Sequence, residues 1–127
     1  MPNKGYKILA VDDDPKVLLL VEAILKPHGY DVVMLNDGKR MIETARKETP
    51  DLILLDIMMR FEDGYTLLSK IKKDENSKNI PVVMVTALEL DGNKVIANIC
   101  GASAYVTKPI DRQALINTIT RLLPDSA

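Results

Sequence analysis

The chain has 127 residues, and its seventeen Lys and Arg against eighteen Asp and Glu give a formal charge of −1 at pH 7, so no global field draws it to nucleic acid or anionic lipid. With 46% hydrophobic and 28% charged residues it has globular composition, enough for one domain over 1–127 and too little for two. The single cysteine, Cys100, excludes an internal disulfide, and no Cys/His cluster could hold zinc or an iron–sulfur centre.

Short continuous apolar runs alternate with stretches whose apolar residues recur three or four positions apart, the pattern of buried strands alternating with amphipathic helices. A first strand is predicted over 7–11, then a helix capped by Asp14, opened by Pro15 and marked by Val17, Leu20, Val21 and Ile24, stopping near Gly29. A second strand over 31–35 precedes a helix carrying Met41, Ile42 and Ala45. The third strand, 52–55, is the most continuously apolar, and the helix after it is capped by Asp63 and carries Leu67, Leu68 and Ile71. A strand over 81–85 leads to a fourth predicted helix with Val95, Ile96 and Ile99, stopped by Gly101. A last strand over 104–107 leads to a fifth, capped by Asp111 and carrying Leu115, Ile116, Ile119, Leu122 and Leu123. Right-handed crossovers between such units give an α/β fold, a five-stranded parallel sheet with helices on both faces.

In a parallel sheet every strand points its C-terminal end at one edge, where open α/β sheets bind ligands. The residues that follow the apolar runs are Asp12 and Asp13, Asn36, Asp56, Thr86 and Lys108. Two carboxylates about 4 Å apart repel by roughly 4 kcal/mol at an effective dielectric near 20, so grouping Asp12, Asp13 and Asp56 calls for a cation. Oxygen donors alone favour Mg2+, or Mn2+, over zinc or copper, and Mg2+ recruits phosphate oxygens. Lys108 supplies a cation and Thr86 a hydroxyl for a phosphoryl group. Neither GxxxxGK[ST] nor GxGxxG occurs to cradle a nucleotide. A side-chain nucleophile is therefore needed, and Asp56, after the central strand, is the best placed to form an aspartyl phosphate.

The segments Val11-Asp12-Asp13-Asp14, Leu54-Leu55-Asp56-Ile57-Met58-Met59 with Asp63-Gly64, Thr86-Ala87 and Tyr105-Val106-Thr107-Lys108-Pro109, in that order on a βα chain, resemble the receiver domain of two-component response regulators from Tyr6 to about Leu123. The resemblance implies a flavodoxin-like receiver fold with strand order 2-1-3-4-5 and a site between the first and third strands. It implies Asp56 as phosphoacceptor, Asp13 as a direct Mg2+ ligand, Asp12 as a ligand mainly through water, and Met58 as a donor of its carbonyl. Thr86, the Ala87 amide and Lys108 would hold the phosphoryl group. A histidine kinase or phosphotransfer protein would be the donor, and small donors such as acetyl phosphate would also serve. Thr86 and Tyr105 would form the switch, altering the surface of the fourth helix, fifth strand and fifth helix toward a downstream protein or output domain. Homodimerisation through that surface is a common family arrangement, and the Lys108–Pro109 bond is commonly cis.

The chain departs from the family at Arg60, where proline is usual, followed by Phe61 and Glu62. Arg60 is read as a solvated loop cation, with contact to phosphate or a partner as the other reading. Met58 and Leu88, both apolar, imply slow to moderate hydrolysis of the aspartyl phosphate. His28 is read as a helix-end cation or solvated turn, Cys100 as core, the side chains of Met41, Met58, Met59 and Met84 as fillers rather than metal ligands, and Lys70, Lys72, Lys73 and Lys78 as a solvated helix end. Two rival functions are an aspartate-nucleophile phosphatase using Asp12 and Asp14, whose usual Gly and Thr/Val are replaced by Pro15-Lys16, and a phosphorylation-independent binding module. A phosphoacceptor that assists its own chemistry, rather than an enzyme, is the expectation. No apolar run reaches the roughly 20 residues of a membrane span and the start lacks a secretory signal, so a cytoplasmic protein without membrane or direct nucleic-acid contact is expected. The sequence stops soon after the fifth predicted helix, which fits either a single-domain regulator or the front of a larger one.

Overall fold

A computed structural model describes residues 5–60, 62–87 and 101–123. The apolar runs form β1 (Lys7–Val11), β2 (Asp31–Leu35), β3 (Leu52–Asp56), β4 (Val82–Thr86) and β5 (Ala104–Thr107), joined in one sheet of order β2-β1-β3-β4-β5. All four pairings are parallel. Every residue of β3 and β4 is buried, whereas the flanking β2 and β5 are partly exposed. Central strands of a parallel sheet are covered on both faces and so read as unbroken apolar runs.

Four helices stand among the described residues: α1 (Pro15–Leu25), α2 (Met41–Glu48), α3 (Gly64–Lys73) and α4 (Arg112–Leu122). Side chains alternate across a strand, and the core divides accordingly. Ile8, Ala10, Leu52, Leu54, Val83 and Val85 pack with α1 and α4 through Leu18, Val21, Ile24, Leu115 and Ile119. Leu9, Val11, Ile53, Leu55, Val82 and Met84 pack with α2 and α3 through Met41, Ala45, Leu67, Leu68 and Ile71. Because β1 lies between β2 and β3, the chain reverses its direction of travel across the sheet there, opening a crevice beyond the C-terminal ends of β1 and β3.

The three expected caps are formed. Asp14 accepts from the Lys16 amide, Asp63 from the Tyr65 amide and Asp111 from the Ala114 amide, each at 2.9 Å. Pro27 ends α1 early, at Leu25, because it lacks the donor for another helical bond. A 3-10 turn over Lys26–His28 follows, and Gly29 (φ 90°) closes it.

Local pattern misplaces some details. The buried stripe of α1 is Leu18, Val21, Ile24 and Leu25, while Leu20 is exposed; residues 17–21 are all apolar, so periodicity alone cannot set the helix phase. β3 and β4 each run one residue further than their apolar runs, because the ladder continues through the polar ends: Asp56 pairs with Val85, and the Ile57 amide bonds the Val85 carbonyl at 3.0 Å. Pro81 precedes β4 and contributes only its carbonyl, accepting from the Ile53 amide at 3.0 Å. The helix expected around Val95, Ile96 and Ile99 lies outside the described residues, as do Phe61, Leu88 and Cys100. No helix among the described residues is long and apolar enough to cross a membrane.

Candidate functional site

β1 delivers Asp12 and Asp13, β3 delivers Asp56, β4 delivers Thr86 and β5 delivers Lys108 to the same edge of the sheet. Carboxylate oxygens of Asp12, Asp13 and Asp56 lie within 4.8 Å of one another. Asp12, Asp56 and Thr86 are 4%, 3% and 1% exposed, and Asp13 stands at the rim. Local backbone aims each carboxylate: the Asp14 amide donates to Asp12 Oδ1 at 2.9 Å, and the Met58 amide to Asp56 Oδ1 at 3.4 Å. Lys108 enters from the far side, its Nζ 3.0 Å from Asp12 Oδ2 and 3.4 Å from Asp56 Oδ1. Its own amide is anchored on the Thr86 carbonyl at 2.7 Å, and the Lys108–Pro109 bond is cis.

The electrostatics follow from this crowding. Burial and then the charge of Asp12 push the Asp56 carboxyl up to about 6, against the opposing pull of Lys108 and the Met58 amide. Burial works to lower the Lys108 pKa, but hydrogen bonding and charge from Asp12, then Asp56, outweigh it and hold the ammonium above the ordinary lysine range. One lysine therefore does not neutralise the cluster. Three hard oxygen donors that repel one another, with one rim carboxylate open to solvent, fit a hard divalent cation such as Mg2+.

The loop after β3 is fastened close to the site. Met58 bridges to Asp63, and the Gly64 amide donates to the Ile57 carbonyl at 2.8 Å. A Cβ on Gly64 would sit 2.6 Å from Ile57 Cα, so only glycine permits this approach of α3 to the end of β3. The Met58 side chain points outward, 65% exposed, which leaves its backbone as the part near the cluster. Ala87 follows Thr86 at the exposed surface. Tyr105 packs against the core on the α2/α3 face, and its hydroxyl is buried; burial and the adjacent Tyr65 hydroxyl raise its pKa.

Two cations read as solvated are engaged. The Arg60 amide donates to Asp13 Oδ2 at 2.8 Å and its Nε lies 3.5 Å from the same oxygen, although the side chain is 77% exposed. Lys72 is half-buried and donates to the carbonyls of Ile80 at 2.8 Å and Lys78 at 3.3 Å, and burial lowers its pKa. Nothing local announces either contact: Asp13 and Arg60 are 47 residues apart, and Lys72 meets carbonyls of the turn leading into β4. Met41 and Met84 are fully buried fillers and Met59 packs partly buried against the core, as expected, but Met58 is not a filler, because its side chain leaves the end of β3 toward solvent. Asp14, the acid/base of the phosphatase reading, is instead committed as the cap of α1.

Residues 8–120 match the family model described as response regulator receiver domain. The chain is 36% identical over 117 residues to protein PilH of Pseudomonas aeruginosa, covering 92% of this chain and 97% of that one. It is 40% identical over 116 residues to response regulator PleD of Caulobacter vibrioides, covering 91% of this chain but only 26% of that protein. Among solved structures, the receiver domain of sensor histidine kinase PA1611 from Pseudomonas aeruginosa PAO1, which has a magnesium ion coordinated in its active-site cleft, superposes with a TM-score of 0.84 at 31% identity, covering 94% of this chain and 98% of that one. Strand order, acidic crevice and sequence agree: the chain belongs to the receiver domain family of two-component response regulators, a family of phosphoacceptor signalling domains.

Proposed function

We propose that this chain is a Mg2+-dependent phosphoacceptor switch in which Asp56 takes a phosphoryl group from a histidine kinase or histidine phosphotransfer protein. The observation that carries the reading is Lys108 Nζ spanning Asp12 and Asp56, 3.0 and 3.4 Å away, inside a trio of carboxylates. That arrangement gathers a nucleophile, a phosphate-pairing cation and a metal-binding acid pair in one crevice.

Asp56 Oδ attacks phosphorus in line with the leaving group; the new O–P bond forms as the P–N bond of a phosphohistidine breaks, and the electron pair leaves with the imidazole. Asp12, Asp13, Asp56 and the Met58 carbonyl are the residues that would hold the metal, which supplies charge neutralisation for the phosphoryl oxygens. Lys108 pairs with a phosphoryl oxygen once Asp56 Oδ becomes part of the acyl phosphate. The Thr86 hydroxyl and the Ala87 amide donate to the remaining oxygens. Asp56 must be ionised to attack, and its raised pKa makes that charge responsive to the cations beside it.

The signal leaves through Thr86 and Tyr105. Thr86 moving toward the phosphoryl group alters the space next to Tyr105, and the population shift is bounded by how much better one conformer stabilises the phosphorylated site. The surface around β5 and α4 then differs for a downstream protein or output domain, with a phosphorylation-linked homodimer as one arrangement. We read residues 1–127 as a single domain working in the cytoplasm.

Incubation with acetyl phosphate and Mg2+ should add one phosphoryl mass to the intact chain and none to Asp56→Asn. Phosphoryl mass on Asp56→Asn, or loss of phosphate-ester turnover specifically in Asp12→Asn, would reassign the nucleophile. No mass gain from any donor would favour a phosphorylation-independent binding module.

A further inference from the structure

Arg60 touches the one carboxylate of the trio that faces solvent. Its amide and its Nε both address Asp13 Oδ2, at 2.8 and 3.5 Å. Asp12 has Lys108 and the Asp14 amide as partners, and Asp56 has Lys108 and the Met58 amide. A cation entering the crevice from solvent must take a lone pair on Asp13, and it meets a guanidinium already there.

Resting on the reading of the trio as a Mg2+ site, we propose that the Arg60 side chain is a built-in competitor for the metal, a positioning residue that weakens Mg2+ binding by holding Asp13 Oδ2. Two physical effects act in the same direction. The guanidinium stabilises Asp13 in the metal-free protein, and its charge repels a divalent cation that shares the same carboxylate. The backbone amide, neutral and present whatever residue stands at this position, keeps Asp13 oriented. The side chain therefore controls affinity while the main chain controls geometry. Because Arg60 is on an exposed loop, the competition is modest and reversible, of the size that solvent-exposed ion pairs carry. Phosphoryl transfer that depends on Mg2+ would then respond to changes in metal concentration over a higher range than the bare acid trio allows.

The test is titration of unphosphorylated protein with MgCl2, followed by amide shifts of residues 12–13 and 56–60, with no activity readout. Arg60→Ala should tighten Mg2+ binding about threefold, Arg60→Lys should return most of the way to the parent affinity, and added salt should shrink the difference. In an Asp13→Asn background the gain from Arg60→Ala should shrink, because the competed carboxylate charge is gone and only the guanidinium's repulsion of the cation remains. Thermal midpoints should be alike for the parent and both Arg60 variants. Unchanged or weaker Mg2+ binding in Arg60→Ala, with the parent binding normally, overturns the competitor. A parent that binds no Mg2+ overturns the metal reading itself, which the parent's own titration separates from failure of the competitor; an Asp13→Asn variant that binds Mg2+ as well as the parent removes Asp13 as a ligand and the competitor with it.

Discussion

The two edges of the sheet treat charge in opposite ways. At the edge where the strands begin, charged groups find separate partners, in ion pairs or on the backbone. Lys7 Nζ meets Glu48 at 3.1 Å, the Lys7 amide takes Asp51 at 2.8 Å, Arg46 pairs with Asp74, and Lys72 settles on the carbonyls before β4. At the edge where the strands end, three carboxylates converge and share Lys108, with Arg60 at the rim. The first edge closes α2 and α3 onto the sheet. The second holds repulsion that one lysine leaves uncompensated, a local cost in stability of the kind functional sites carry.

Removing Lys108 should break this contrast most strongly. Lys108→Ala leaves Asp12 and Asp56 facing each other without their shared cation, and should cost about 2 kcal/mol in denaturant unfolding at neutral pH without metal, less than for a fully buried pair because the lysine reaches solvent. Mg2+ should restore much of the loss. An unchanged midpoint would mean that Lys108 does not relieve the repulsion between Asp12 and Asp56.

Asp56→Asn should act in the opposite direction, stabilising the metal-free protein by at most about 3 kcal/mol while abolishing phosphorylation. The sign follows from the raised pKa. The folded protein keeps the Asp56 proton up to about pH 6, whereas the unfolded chain releases it near 3.8. Between those values the folded state binds more protons, so this carboxyl subtracts stability as pH rises across the window and contributes a constant penalty above it. Stability against pH measured for parent and variant without metal should converge below this window and separate above it. A gap that narrows as pH rises would contradict the crowding. At the opposite edge, Lys7→Ala should cost only roughly 0.5 kcal/mol, since a half-exposed single pair contributes little; a loss comparable to that of Lys108→Ala would erase the distinction between the edges.

Much of this was legible in the chain itself. The strands at 7–11, 31–35 and 104–107 fall as expected, and Asp14, Asp63 and Asp111 cap the helices that follow them. Asp12, Asp13, Asp56, Thr86 and Lys108 were readable as site candidates because each stands at the end of an apolar run, and parallel strands carry such positions to one edge. The phase of α1 was not readable, because Val17 to Val21 offers apolar side chains in every direction and only the packed sheet selects Leu18 over Leu20. The extra residue on β3 was hidden for a related reason: Asp56 looks like a strand end by polarity but remains in the ladder through the partner strand's backbone.

The sequence by itself determined the βα alternation, the helix caps and which residues reach the functional edge, because each depends on periodicity or on neighbours a few positions away. Tertiary structure alone decided that Arg60 lies on Asp13, that Lys72 is half-buried, and that burial raises the Asp56 pKa. Those outcomes depend on the dielectric and the company each charge meets in space, and residues 47 positions apart share neither until the sheet has brought their strands together.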